Sequence, residues 1–385
     1  MKILIVKTFP IPINVNNITY NHQELGLAVA LRRKGYVCDV MCVSYDNKYH
    51  QQVIEMGGLP ITLYYVQSFN LLKNGIFKNV DVIFSQYDIL QVSEYNQIYT
   101  WYLAKKYQNK VVVYHGPYFS AFNKRYNLMV KLFDLFFIDR YKKLNTYFVT
   151  KSKLASSYLI DKGLEKVFPI GVGLEETFMQ GFTSDNELAF IEKIKEKQGF
   201  KLLYVGAIEP RRNSLFLLDI LYSLRQKGEN ALLVLVGKPK SKQYAEMFWN
   251  KVKMLNLLDC IIYKESIQQK HIASIYNISN IFLFPTHYDI FGMVLLEAMF
   301  FNKTVISTVN GGSDMLIRDG DNGYIINNFN VEDWVNKILL ISNDNTILER
   351  IGNNANKTIV NFYTWDKLAE LFISVYKSKL KIELI

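Results

Sequence analysis

Phe282-Leu283-Phe284-Pro285-Thr286-His287-Tyr288-Asp289-Ile290-Phe291-Gly292-Met293-Val294-Leu295-Leu296-Glu297-Ala298-Met299 is the stretch on which the reading of the fold turns. An apolar run from Ile281 to Phe284 reads as a strand that stops at Pro285, and an acid-bearing loop follows. Gly292 then opens a second apolar run with the length of a helix. Two carboxylates, Asp289 and Glu297, therefore bracket an expected helix N-terminus. Backbone N–H groups there, on Phe291, Gly292, Met293 and Val294, are ligands for a phosphate, and the helix dipole adds to the attraction. Glu297, about a turn into the helix, reaches vicinal hydroxyls such as those of a ribose. The layout suits a sugar nucleotide.

Outward from this stretch, apolar runs bounded by turn residues alternate with longer segments of helical period. Strands are expected at Ile3 to Val6, Val37 to Val43, Val80 to Phe84, Val111 to Tyr114 and Tyr147 to Thr150. After a polar stretch rich in Glu and Lys, residues 173–200, they resume at Leu202 to Val205, Leu232 to Val236, Cys260 to Tyr263, Ile281 to Phe284 and Thr304 to Ser307. The pattern predicts two doubly wound α/β domains, in keeping with a chain of 385 residues that is too long for one ordinary core. Ligands collect at the carboxyl ends of strands in such sheets, so two of them facing each other create a cleft with separate walls for donor and acceptor.

The stretch from Asp289 to Glu297 resembles the acidic-x7-acidic signature of the retaining glycosyltransferases of family 4, which are built on the two-domain GT-B fold. Those enzymes usually carry glutamate at both ends, where this chain has Asp289 first and Glu297 second. The resemblance runs from Met1-Lys2-Ile3-Leu4-Ile5-Val6 to the segment Thr364 to Leu380, which reads as a helix with a family-like Trp365 near its start. It implies two Rossmann-like domains facing a central cleft: an acceptor-side domain over 1–175, a nucleotide-sugar domain over 176–363, and a closing helix over 364–385 that returns to the first. The loop Thr8 to Asn17 departs from the family, with prolines and asparagines in place of glycines that approach the donor phosphate.

Further motifs fall at strand ends. Tyr114-His115-Gly116-Pro117 resembles the family's histidine that touches the donor sugar; His115 serves that role or caps its strand. In Gly206-Ala207-Ile208-Glu209-Pro210-Arg211-Arg212-Asn213, a glycine turn precedes cations at a helix start, a place for a diphosphate. The family usually has an arginine just after the glycine and a lysine further on; here Ala207 and Arg212 stand at those positions, so Arg212 is the phosphate ligand expected, with Arg211 compensating or facing water. Lys238, after Gly237, adds a cation near the phosphates or is a solvated loop residue. Gly311-Gly312-Ser313-Asp314 resembles the family's glycine pair followed by an acid, placed for close backbone approach to a ligand or for a turn. Asp319-Gly320-Asp321 has the Asp-x-Asp form of a divalent-metal site, yet sits in a strong turn sequence, and the turn reading is preferred. With Arg212 and a helix N-terminus available to a diphosphate, neither metal nor cofactor is expected.

Half of the residues are hydrophobic, so large cores are available. Cys38, Cys42 and Cys260 are odd in number and unpaired in spacing, which argues against a disulfide framework. No signal peptide or membrane-spanning run is recognisable, predicting a cytoplasmic protein. Most of the net charge of +10 lies in residues 101–150, with nine basic side chains against two acidic ones. There Leu128, Met129, Leu132, Phe133, Phe136 and Phe137 recur at near-helical spacing, so the segment forms a core-facing helix with a basic outer side or a helix that lies on an anionic membrane at the inner face of the cell membrane. No nucleic-acid motif accompanies the charge. The expected partners are a nucleotide-sugar donor and a saccharide or lipid-linked acceptor, in surface polysaccharide or glycan assembly. The alternatives are a nucleotide-sugar epimerase or hydrolase on the same fold and a non-catalytic nucleotide-sugar-binding protein.

Overall fold

The computed structural model describes residues 1–15, 22–71, 74–179 and 185–382. Asn16 and Asn17, at the end of the loop after the first strand, and residues 180–184 of the polar boundary stretch lie outside the described residues. The chain divides into two compact units, Met1–Glu175 with Tyr363–Ile385, and Glu176–Phe362.

The main strands of the first unit are β1 (Lys2–Val6), β2 (Val37–Val43), β3 (His50–Met56) and β4 (Leu59–Val66), then, after the small hairpin of β5 (Ser68–Leu71) and β6 (Asn74–Phe77), β7 (Ile89–Ser93), β8 (Val111–His115), β9 (Tyr147–Thr150) and β10 (Val167–Pro169). They form one sheet in the order β10-β9-β8-β7-β1-β2-β4-β3, parallel except where β3 runs antiparallel to β4. Strands covered on both faces read as largely continuous apolar runs, which is why β1, β8 and β9 are legible from their residues alone. Helices α1 (Gln23–Arg33), α2 (Asp81–Ser85), α3 (Ile98–Lys106), α4 (Lys124–Lys142) and α5 (Lys153–Ile160) belong to this unit.

One expected strand is not a strand. Val80 to Phe84 lies largely in α2, because its buried side chains, Val80, Ile83 and Phe84, are spaced i, i+3, i+4 while Val82 is exposed. The strand beside β1 is instead β7, whose apolar run is interrupted by Gln91. Gln91 is buried and accepts a hydrogen bond from the Tyr376 hydroxyl, so its polarity is satisfied by a distant segment.

The second unit holds β11 (Phe200–Val205), β12 (Ala231–Val236), β13 (Ile261–Lys264), β14 (Ile281–Phe284), β15 (Thr304–Ser307) and β16 (Tyr324–Ile325) in the order β13-β12-β11-β14-β15-β16, all parallel. Its helices are α6 (Asp185–Glu196), α7 (Ser214–Gln226), α8 (Lys242–Met254), α9 (Ile272–Asn277), α10 (Met293–Phe300), α11 (Gly311–Leu316), α12 (Val331–Ser342) and α13 (Asn345–Phe362). The strand order reverses between β11 and β14, which pair through Leu202 with Ile281 and Leu203 with Phe282. A reversal of this kind opens a crevice at the carboxyl ends of the two strands, the usual place for a ligand. The first unit reverses in the same way between β1 and β7.

The last helix, α14 (Trp365–Leu380), belongs to the first unit. The Thr364 hydroxyl caps it by accepting the Lys367 N–H, and Trp365 is buried. Within this unit, Arg33 of α1 pairs with Glu175 at 2.8 Å and with Asp366 of α14 at 3.1 Å.

Candidate functional site

Two loops leave the reversal point of the second unit, one after β11 (206–213) and one after β14 (285–292). They are laced together by backbone and side chain. The Arg211 carbonyl accepts the His287 N–H at 2.9 Å and the Thr286 hydroxyl at 3.1 Å, while the Arg211 guanidinium donates to the Tyr288 carbonyl at 2.8 Å and to Glu209 at 2.7 Å. Arg211 is thus half-buried and structural as well as cationic. Gly206 extends the ladder through its N–H to the Val236 carbonyl, and Lys238 is exposed with its carbonyl accepting the Ile208 N–H.

Arg212 and Asp289 meet at the centre of these loops in an ion pair. Arg212 also lies over the Phe284 ring, 5.0 Å from its centre, and its guanidinium is largely buried. Burial, and next the neighbouring charge of Arg211, pull it down to about 10, so it remains a cation at neutral pH. The other Asp289 oxygen accepts the N–H groups of Phe291 and Gly292 at 3.3 and 3.1 Å. Two of the four amides expected to bind phosphate are therefore engaged by the chain's own carboxylate; those of Met293 and Val294 open α10 itself. Gly292 stands at the N-cap with φ 75, in the left-handed region that glycine enters without penalty.

Glu297 is buried in α10, where it accepts the Tyr276 hydroxyl at 2.8 Å. Tyr276, from α9, is itself buried and stacked on Phe301 at 5.3 Å, so its hydroxyl orients the carboxylate from a fixed ring. Nothing in the spacing of the sequence marks Tyr276 as a partner of Glu297.

Gly311 and Gly312 also have a role other than the one expected. A Cβ on Gly312 would lie 1.6 Å from the Phe291 carbonyl oxygen, and one on Gly311 2.0 Å from that of Ile290. The close approach they permit is of α11 to the loop that carries Asp289. Asp319 and Asp321 serve the turn: Gly320 has φ 76, Asp319 accepts the Ile325 N–H, and Asp321 pairs with Arg318.

In the first unit, His115 ends β8 and is fully buried, with Nδ1 2.6 Å from a Glu94 carboxylate oxygen. The same oxygen accepts the Gly116 N–H at 3.2 Å. Burial acts to raise the Glu94 carboxyl, but the charge and hydrogen bond of His115, with Lys151 and the Gly116 N–H, hold it below the usual carboxylate range. Nothing in the sequence marks Glu94: a lone acid after a strand carries no signal until the neighbouring strand is known. A cavity at the carboxyl ends of β1, β7 and β8 is lined by Glu24, Gln91, Ser93, Tyr114 and Lys151 among others.

Residues 185–380 match the family model described as Glycosyl transferases group 1. Among curated proteins, the chain is 28% identical to the capsular polysaccharide biosynthesis glycosyltransferase CapM of Staphylococcus aureus, over 52% of this chain and 55% of that protein. It is 29% identical to the lipopolysaccharide 1,2-N-acetylglucosaminetransferase of Salmonella typhimurium, over 44% of this chain and 46% of that protein. The chain thus spans about half the length of the curated relatives it matches. Among solved structures, a glycosyltransferase from Rickettsia africae aligns with a TM-score of 0.74 at 17% identity, covering 99% of this chain and all of that one. Anabaena HepE, solved in complex with UDP and glucose, aligns with a TM-score of 0.70 at 15% identity, covering 98% of this chain and all of that one. The fold class is GT-B, as expected.

Proposed function

We propose that this chain, which belongs to the group 1 glycosyl transferases, moves a sugar with retention from a nucleotide-diphosphate sugar to a saccharide or lipid-linked saccharide in the assembly of a surface polysaccharide or related glycan. The observation that carries this reading is the Asp289 carboxylate seated on Arg212 and on the amides of Phe291 and Gly292. A guanidinium and a helix N-terminus that hold an internal anion at a strand-order reversal are the groups that hold a diphosphate.

In this reading the donor diphosphate takes over Arg212, with Arg211, Gly206, Lys238 and the amides of Phe291, Gly292, Met293 and Val294 around it. The negative charge that develops on the leaving diphosphate is stabilised by groups already in place, which requires no metal and no cofactor. Glu297 accepts hydrogen bonds from the ribose, and Asp289, released from Arg212, from the transferred sugar. His115 of the first unit hydrogen-bonds a sugar hydroxyl as the anomeric carbon gains cationic character. The polar cavity beside Glu24, Gln91 and Lys151 supports acceptor recognition by the first unit.

The membrane part of the reading rests on α4. Val130, Phe133 and Tyr141 face the core, while Leu128, Met129, Leu132, Leu135 and Phe136 are exposed among Lys124, Arg125, Lys131 and Arg140. An apolar stripe flanked by cations fits an anionic lipid surface, and so a lipid-linked acceptor at the inner face of the cell membrane. No helix among the described residues is long and apolar enough to cross a membrane.

Thermal unfolding with a panel of UDP-, GDP-, ADP- and dTDP-sugars tests the donor. A ligand at 100 times its Kd stabilises the native state by about 2.7 kcal/mol, a readily measured shift in Tm. No shift with any donor at millimolar concentration sinks the proposal. A donor converted to another sugar or to free nucleotide without acceptor moves the assignment to an epimerase or hydrolase.

A further inference from the structure

We propose that Glu94 is the positioning residue of His115: it holds the imidazole as the Nδ1–H tautomer, so that Nε2 offers a lone pair to a hydroxyl of the bound sugar. The second half of this statement rests on the assignment of His115 to the donor sugar; the first half does not.

The backbone at Glu94 carries the first observation. Its φ is 54, in the left-handed region. The other described non-glycine residues with positive φ are asparagines, which tolerate it, and Lys381, which caps α14. A glutamate has no such tolerance, and strain of this kind persists only where the surroundings over-determine it, typically at functional sites. Here the ladder holds it, through the Glu94 N–H donated to the Tyr114 carbonyl at 3.1 Å. The unusual φ accompanies a side chain that reaches back to the end of β8.

The hydrogen bonds then settle the proton. One Glu94 oxygen accepts the Gly116 N–H at 3.2 Å and lies 2.6 Å from His115 Nδ1. An ionised carboxylate has no proton to give, so the Nδ1 atom is the donor. In the neutral ring, Nε2 is then the acceptor. It is buried and has no hydrogen-bond partner among the described residues. Tyr95 meets the imidazole edge-on at 4.9 Å and Tyr158 lies parallel to it at 6.4 Å, so aromatic rings fix its plane. An orphaned buried acceptor is costly unless something arrives to donate to it, and a sugar hydroxyl is such a donor.

The experiment is a long-range ¹H–¹⁵N spectrum of the full chain labelled at histidine, near neutral pH, with the His115 signals identified by their loss in His115→Gln. Wild type and Glu94→Gln, whose amide oxygen still accepts, are expected to show a protonated Nδ1 and a bare Nε2. Glu94→Gly, which takes the positive φ freely and so keeps the fold, loses that preference. Turnover is expected to drop roughly 10- to 100-fold in Glu94→Gly and to be substantially restored in Glu94→Gln. A wild-type proton on Nε2, or an unchanged tautomer in Glu94→Gly, overturns the proposal. An Nε2 signal that ignores a donor able to raise Tm overturns the sugar contact. These spectra need no substrate, so the absence of any donor-induced Tm shift counts against the proposed function and leaves the tautomer decided separately.

Discussion

Arg212 and Asp289 form an ion pair at the meeting of two loops of the second unit, and the same aspartate accepts two amides at the start of α10. An internal anion therefore occupies the positive site, and the function proposed above has an entering diphosphate exchange partners with Asp289. Both charges are largely buried, so removing either partner alone strands the other.

Arg212→Ala is predicted to lower kcat/KM for the donor by about 100-fold and to destabilise the fold by about 3 kcal/mol, the stranded Asp289 supplying the second effect. Adding Asp289→Ala is predicted to recover much of the stability and none of the transfer. Urea unfolding and steady-state kinetics on the single and double variants check this, and stability losses that simply add would refute the coupling.

Tyr276→Phe removes the hydroxyl that orients Glu297 while keeping the stacked ring. A loss of about 1 kcal/mol of stability is expected. If Glu297 holds the ribose equally in ground and transition states, the donor KM rises about fivefold with kcat unchanged. A fall in kcat alone would contradict a binding role.

Gly312→Ala sets intrinsic propensity against packing. Alanine is favoured over glycine by about 1 kcal/mol in a helix interior. Its Cβ, however, would sit 1.6 Å from the Phe291 carbonyl oxygen. Backbone on both sides of the clash must shift, so a net destabilisation of about 1–3 kcal/mol is expected, together with weaker donor binding as the Asp289 loop is displaced. A stabilised variant in urea unfolding would show that α11 and this loop are not in contact.

Leu135→Glu and Phe136→Glu place charge on the exposed stripe of α4. Sedimentation with anionic vesicles is predicted to fall several-fold with Tm unchanged, and wild-type binding to weaken with salt. Binding that is equal on neutral and anionic vesicles would remove α4 from the membrane reading.

Lys379 is buried beneath the Asn145 carbonyl, to which it donates, and burial, then the charge of Lys166, lowers its ammonium to about 8. An unfolded lysine titrates near 10.4. Between those values the unfolded chain binds more protons, so the penalty is complete below about pH 8 and fades as pH rises towards 10.4. Lys379→Met is predicted to gain about 1–2 kcal/mol at pH 7 and progressively less towards pH 10. A gain that does not vary with pH would exclude titration as its cause.

Much of this architecture is legible in the residues because parallel strands buried on both faces must be continuously apolar, as β8, β12 and β14 are. The same rule misleads at Val80 to Phe84, where a short apolar run with helical spacing passes for a strand, and at β7, where Gln91 breaks the run. Arg212, Asp289, Glu297 and His115 stand out by position at strand ends and helix starts. Their partners do not: Tyr276 and Glu94 are ordinary residues until the elements that carry them are placed.

The sequence by itself determined the local units, since periodicity and turn chemistry act over a few residues: which runs become strand, loop or helix, and which polar side chains fall at their junctions. Only the tertiary structure decided that β11 lies beside β14, and so that Arg212 and Asp289 share a buried site, that Gly311 and Gly312 seat α11 against carbonyls, and that a strained Glu94 turns to His115. Pairing between parallel strands joins segments far apart in the chain, and no short-range pattern records it.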